Sequence, residues 1–261
     1  MSAPAPAGRV VLLATEGAST RIVYHALARR FPDVRVVLEE PVSRASLLRR
    51  RRERLGTVTV LGQILFMGVA APLLRRRAVQ RAAEIAAAAG LDTSPLPTSA
   101  HRVSSVNSAE AREALRSLAP SVVVVNGTRI ISRETLRAVA APFVNMHMGI
   151  TPLYRGVHGG YWAVAEGRPE LAGTTVHLVD EGIDTGTIVA QATFPVGPED
   201  SFATYPYLHL AAGIPLLLEA VDDALRGTLR TRGAPSGLAS RLRSHPTLWG
   251  YLAGRFLRGA R

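Results

Sequence analysis

Apolar residues fall along this chain in two kinds of run. RVVLLA (9–14), VRVVLEE (34–40), SVVVVNG (121–127) and FVNMHM (143–148) are short, rich in branched side chains and bounded by turn or polar residues. That is the pattern of strands buried on both faces. Between them, STRIVYHALARRF (19–31) and SAEAREALRSLA (108–119) space their apolar residues as helices do, the second opening with a serine at the cap position and an acidic first turn. Strands alternating with helices predict an α/β fold with a doubly wound, mostly parallel sheet. Further on, GTTVHLVDEG (173–182) and GTIVAQATFPV (186–196) read as an antiparallel continuation around the bend DEGIDTG. A helix over 209–227, with Pro215 as a point of kinking, closes the core, and no internal repeat is present.

GTVTVLGQILFMGVAAPLL (56–74) approaches the roughly 20 residues that span a bilayer, and arginines flank both ends. It also holds Gln63, Pro72 and three glycines, and a span here would split the strand order in two. A buried or interfacial helix inserted into the α/β core is the expected reading, with peripheral membrane contact through the arginines left open. The chain thus divides into one domain over 1–227, carrying a helical insertion at about 45–95, and a short basic C-terminal extension over 228–261.

Composition adds charge to this picture. The 261 residues are 47% hydrophobic, enough to bury a substantial core, and the net charge is +11. There is no lysine, so every basic side chain is arginine, concentrated at 47–54, at 73–77 and after Arg226. Codon usage in a GC-rich genome accounts for such a bias; the clusters also suit an anionic membrane surface or an acidic small molecule. No helix-turn-helix, zinc-finger or aromatic RNA-binding signature accompanies them, so nucleic acid is not an expected partner. The absence of cysteine excludes disulfides, thiolate nucleophiles and cysteine-ligated metal. The opening MSAPAPAG, with Pro4 and Pro6 in place of a basic region, leads to a cytoplasmic reading.

The candidate chemistry begins at VNMHMGITPLYRG (144–156). Side chains alternate faces in a strand, so Asn145 and His147 point one way while Val144, Met146 and Met148 point the other. They fall at the carboxyl end of a strand, where open α/β sheets bind ligands. A structural histidine suits that position too. Thirty residues on, TTVHLVDEGIDTG places His177 before a loop carrying Asp180, Glu181 and Asp184. A carboxylate on that loop can orient His147 and stabilise its protonated form, while Asp180 and Glu181 also fit a solvated turn and His177 also fits strand packing.

NMHMGITPLYRG followed by GTTVHLVDEGIDTG resembles the folate-dependent formyltransferases, a family that includes glycinamide ribonucleotide transformylase, methionyl-tRNA formyltransferase and the nucleotide-sugar N-formyltransferases. The family's Asn-x-His falls on Asn145 and His147, its SLLPxYRG loop on Gly149 to Gly156, and its D-x-G aspartate on Asp184 and Gly186. One departure is that Ser-Leu-Leu-Pro is Gly149, Ile150, Thr151 and Pro152 here. The likeness covers residues 108–225 well and the opening strand more loosely.

The resemblance implies a formyltransferase catalytic domain that moves a formyl group from 10-formyltetrahydrofolate to an amine, with no metal required. Asn145, His147 and Asp184 are the implied catalytic residues: the Asn145 amide and the His147 imidazolium as donors to the formyl oxygen, His147 as the proton carrier, and Asp184 as its support. Arg129, Ile130 and Ile131 match the pterin-binding loop, with His177, Asp180 and Gly182 beside it. Gly17, Ser19 and Thr20 lie where the first strand turns into the first helix, the turn that in the transformylase binds the substrate's phosphate, although Ser19 also fits as a simple cap. Tyr154 and Arg155, with His158 and Tyr161, follow the catalytic loop and can shape the acceptor pocket, whereas Trp162 is expected to pack. The tail after the closing helix is short beside the C-terminal domain of the tRNA enzyme, so the expected acceptor is a small-molecule amine, foremost a nucleotide-linked amino sugar or a natural-product amine. Hydrolysis of 10-formyltetrahydrofolate and a non-catalytic folate-binding scaffold are the alternatives. The insertion at 45–95 can be a homodimer interface, a lid or a membrane foot.

Overall fold

The apolar runs form adjacent strands of one sheet. The computed structural model describes residues 7–234 and 238–258, so Pro4 and Pro6 lie outside it. β1 (Val10–Thr15) leads through α1 (Ala18–Arg30) to β2 (Val34–Glu39). A helical segment follows: α2 (Arg44–Leu55), α3 (Thr57–Leu65), a π-helical turn (Phe66–Ala70), α4 (Ala71–Arg77) and α5 (Val79–Ala88). Then come β3 (His101–Val103), α6 (Ala109–Leu118), β4 (Val122–Asn126), α7 (Arg133–Leu136), β5 (Phe143–His147), β6 (Tyr154–Gly156) and α8 (Gly159–Ala165). β7 (Gly173–Leu178), β8 (Ile188–Thr193), α9 (Tyr205–Arg226), β9 (Arg241–Arg243) and α10 (Leu248–Arg258) complete the described elements.

The main sheet has the order β3-β2-β1-β4-β5-β7-β8. The first five strands are parallel, and β7 and β8 continue antiparallel as the sequence predicts. Alternation along β1 sends Val10, Leu12 and Ala14 into a core shared with Ile22 and Leu27 of α1 and Leu217 and Val221 of α9. Val11 and Leu13 enter a second core with Ala111 and Leu115 of α6. Helices therefore cover both faces, and each fully buried leucine contributes roughly 1.5–3 kcal/mol. Ser108 caps α6 by accepting the Ala111 N–H.

Three features differ from expectation. α9 starts at Tyr205, ahead of residue 209, because Pro206 sits in its first turn, where a missing N–H is harmless; Pro215 lies inside the helix. β3 went unforeseen because it is three residues long with exposed His101 and Arg102. The described part of 228–258 is integral to the fold: β9 pairs in parallel with β6, and Arg232 bridges to Ile188. The Trp162 indole donates to Ser244 O, and Gln63, buried on α3, donates to Ser244 Oγ and His245 O. The insertion packs on the core by one face, within the expected reading of a buried or interfacial helix. Phe66 and Ala71 are buried, but Val58, Leu61 and Val69 on the opposite face are exposed.

Candidate active site

The strand order reverses between β1 and β4, the switch point at which open α/β sheets leave a crevice beyond their carboxyl ends. A cavity of about 550 Å³ lies there, lined by Ser19 after β1, residues 126–131 after β4, residues 145–148 of β5 and its loop, and residues 182–184. Pairing of β5 with β7 sets Asn145 opposite His177. Asp184, in the left-handed conformation at φ 51° that aspartate tolerates, closes the other side.

Among these side chains one hydrogen bond, from Asn145 to His177, is joined by close approaches of Asp184 to both histidines. His177 Nδ1 lies 2.8 Å from Leu178 O, so it carries the hydrogen, which leaves Nε2 to accept from Asn145 Nδ2 at 3.1 Å. His147 Nε2 is 2.7 Å from Tyr154 O and donates to it, so in the neutral ring the Nδ1 lone pair faces Asp184 Oδ2 at 3.4 Å. Asp184 Oδ2 also accepts the Gly156 N–H at 2.8 Å, and Oδ1 lies 3.6 Å from His177 Nε2. Burial pushes His147 below its ordinary value, against the opposing pull of Asp184 and the Tyr154 carbonyl. Burial alone would raise the Asp184 carboxyl, but His177, the His147 charge and the Gly156 N–H outweigh it and hold it below the usual carboxylate range. The arrangement keeps a neutral imidazole beside a carboxylate, ready to take up a proton at Nδ1.

Gly149 makes this packing possible. Its φ is +154°, and a Cβ there would lie 2.4 Å from Tyr154 O and 2.8 Å from His147 Nε2, the two atoms whose bond fixes the imidazole.

The other predicted residues divide. Ile131 lines the cavity from the core, Ile130 is exposed with its carbonyl accepting from Asn107, and Gly182 lies at the rim. The Arg129 guanidinium donates to Ser104 O and Glu40 O, and its backbone N–H donates to buried Glu39, so this side chain fastens the loop. Asp180 accepts from Gly182 N and Thr185 Oγ1 and shapes its turn, while Glu181 pairs with Arg133. Ser19 lines the cavity but does not cap α1: Gly17 is the cap residue, with no side-chain bond, and Ser19 Oγ accepts from Asn126 Nδ2. Thr20 is buried and donates to Thr15 O. Tyr154 is a correction: its ring is 2% exposed, packed with Ala163, Ala172 and Phe194, and its hydroxyl donates to Glu166, so only its backbone reaches the site. Arg155 reaches Ile183 O, bracing the loop that carries Asp184. Tyr161 is buried in the cluster of Phe66, Phe202 and Tyr251 and does not line this cavity.

Two cavity residues escaped the sequence reading. His209 of α9 is buried beside His147, its Nδ1 without a hydrogen-bond partner and its pKa lowered by burial to about 3. A lone histidine within PYLHLAAGIPLLL was the available signal. Asn126, at the end of β4, donates to Ser19 and Thr20 and ties the β4 loop to the first turn of α1. His158, noted only as a neighbour of the catalytic loop, also lines the cavity; it meets His245 at 2.9 Å and is lowered to about 3, first by burial and then by His245.

Residues 70–220 match the formyl transferase family, and the chain belongs to that family. Methionyl-tRNA formyltransferase of a Synechococcus species is 38% identical over 117 residues, covering 44% of this chain and 36% of that protein. The Myxococcus xanthus enzyme of the same name is 35% identical over 126 residues, covering 48% and 40%. The chain thus matches well under half the length of these curated relatives. Among solved structures, a sugar N-formyltransferase from a Shewanella species superposes with TM-score 0.54 at 16% identity over 90% of this chain and 76% of that one. Glycinamide ribonucleotide transformylase 1 of Symbiobacterium toebii gives 0.54 at 20% identity over 87% and 94%. An N-formyltransferase of Helicobacter canadensis, solved with folinic acid and dTDP-3-aminofucose, gives 0.54 at 15% identity over 90% and 70%. At these identities the likeness is one of fold.

Proposed function

We propose that this protein transfers the formyl group of 10-formyltetrahydrofolate to the amine of a small molecule, with a nucleotide-linked amino sugar as the leading acceptor class. The observation that carries the proposal is the convergence of Asn145, His147, His177 and Asp184 on the floor of one cavity large enough for a pteridine and an acceptor amine. The folate supplies the formyl carbon, which the neutral amine attacks, so negative charge grows on the formyl oxygen. With one N–H of the Asn145 amide bonded to His177, the second is left for that oxygen, already fixed in place. The His147 imidazolium was the other expected donor, but its Nε2 hydrogen is committed to Tyr154 O; Nδ1 faces Asp184, so the proton that the attacking nitrogen loses passes by way of Asp184 to Nδ1, and the carboxylate stabilises the resulting cation. As the bond from the formyl carbon to the folate nitrogen breaks, His147 returns the proton to that nitrogen. Backbone groups of residues 129–131 border the cavity and suit an edge of the pteridine. The first turn of α1 favours an anionic group on the acceptor, since its N–H groups have no side-chain cap and Ser19 reaches the cavity.

The test is to incubate the purified protein with 10-formyltetrahydrofolate and a panel of amines that includes nucleotide amino sugars and methionyl-tRNA. Tetrahydrofolate appearing only with a small amine supports the proposal. Release without any amine marks a hydrolase, turnover with methionyl-tRNA alone marks a tRNA enzyme, and binding without turnover marks a scaffold.

A further inference from the structure

From Leu55 to Leu74 the chain carries no charge, and this stretch forms α3, the π-helical turn and most of α4. The helical run Thr57–Arg77 has 21 residues, about 31 Å at 1.5 Å per residue, and an 18-residue window within it has mean hydropathy 1.8. Its inner face is committed to the protein. Gln63 is bonded to Ser244 and His245, and Phe66 packs at ring-centroid distances of 4.8 and 5.1 Å from Phe202 and Tyr251. A Cβ on Gly62 would lie 2.4 Å from the Trp249 ring, so α10 rests directly on α3. The outer face is apolar yet uncovered: Val58, Leu61, Leu65, Val69 and Leu73 are between 37% and 72% exposed. α10, which rests on α3, carries exposed apolar side chains of its own, Leu252 and Phe256, the latter 79% exposed.

An uncharged face of this length, apolar on its solvent side, marks an interaction surface. Charge identifies the partner. Arg49, Arg50, Arg52 and Arg54 stand exposed before the face and Arg75, Arg76 and Arg77 beyond it, with Glu53 the sole acid among them. None of these arginines pairs with a carboxylate among the described residues. An apolar strip between two arginine clusters matches a bilayer whose headgroups are anionic. We infer that α3, α4 and α10 form a foot that lies flat in the interface of an anionic phospholipid membrane. The helix does not cross the bilayer, because crossing would strip Phe66 and Gln63 from their partners and open the cluster of Tyr161, Phe202, Tyr205 and Tyr251.

The inference is independent of which amine the cavity takes. Its test is flotation of the full chain with vesicles of phosphatidylcholine alone or mixed with phosphatidylglycerol, alongside quenching of Trp249 fluorescence by brominated lipid. The protein is expected to float with the anionic vesicles, to be released by salt, and to show quenching. Arg75→Ser/Arg76→Ser/Arg77→Ser should weaken partitioning by about 100-fold. Leu61→Ser/Leu65→Ser/Val69→Ser, altered only on the exposed face, should abolish flotation while the circular dichroism spectrum is kept. Should either variant fail to fold, the lipid dependence and quenching of the unaltered protein decide. No flotation with either vesicle overturns the inference, all the more if the apolar face proves to join two copies of the chain in solution. Binding to neutral and anionic vesicles alike that resists salt and alkaline extraction also overturns it, since that describes a crossing helix.

Discussion

Replacing Asn145 by alanine isolates the electrostatic part of the proposed mechanism. The amide has two N–H groups, and one is bonded to His177 Nε2 at 3.1 Å. A single donor therefore remains for the formyl oxygen, and losing one preorganised donor of this kind costs about 3 kcal/mol of transition-state stabilisation, or roughly 100-fold or more in kcat. The same substitution removes one neutral hydrogen bond and leaves buried His177 Nε2 short of a donor, a stability loss of about 1–3 kcal/mol. That shifts Tm by only about 2–4 °C per kcal/mol in a chain of this size, so the variant stays folded at assay temperature. The assay is steady-state formation of tetrahydrofolate with the cognate amine, read as kcat and as KM for the folate. The donor acts on charge that develops during the reaction, so kcat should fall with KM nearly unchanged. His177→Phe, which frees the amide to rotate without removing it, should give an intermediate loss. A rise in KM with kcat intact would refute the assignment, because Asn145 would then be binding the ground state.

Asp184→Asn keeps the shape and the Gly156 contact but removes the charge facing His147, and should lower kcat by about 100-fold or more; a change below threefold would show that His147 works without it. On pH, burial holds His147 below its ordinary value, so log kcat at saturating amine should stay flat as pH falls through 6.5 and decline only further down, where Nδ1 becomes protonated. A break above 6.5 contradicts the buried neutral imidazole. Stability has the same sign: His209 and His158 titrate near 3 when folded and near 6.5 when unfolded, so the unfolded chain binds protons first and stability present above pH 6.5 is lost as pH falls toward 3. Urea midpoints at pH 7, 6 and 5 should show this, with a limiting slope of about 3 kcal/mol per pH unit for two such histidines; equal midpoints would contradict it. Gly149→Ala places a methyl against Tyr154 O and His147 Nε2 at positive φ, and should cost about 1–3 kcal/mol of stability and most of the activity. Unchanged melting and turnover would show that the loop relaxes freely.

The sheet was legible because its strands are buried on both faces and read as unbroken apolar runs. β3, with two polar exposed residues, has no such signature, and β6 with β9 joins segments too short and too distant in sequence for periodicity to pair. At the site, the two-residue spacing of Asn145 and His147 and the acidic loop after His177 were visible in the chain. Which nitrogen of His147 is free was not, since that depends on the carbonyl of Tyr154, a backbone atom. Tyr154 was misjudged as a direct contact because a side chain near a catalytic loop looks the same in sequence whether it faces the cavity or packs behind the loop. His209 was hidden because it lies on α9, some sixty residues beyond His147, and nothing in the local pattern shows that the closing helix brings it beside that imidazole.

The most direct test of the central claim is a crystal structure of the protein soaked with 5-formyltetrahydrofolate. The account predicts the pteridine against the backbone of residues 129–131 and the formyl group within hydrogen-bonding reach of the Asn145 amide, with His147 Nδ1 on the side from which the amine approaches. Folate bound elsewhere, or held in the cavity with its formyl group turned away from Asn145 and His147, would contradict it.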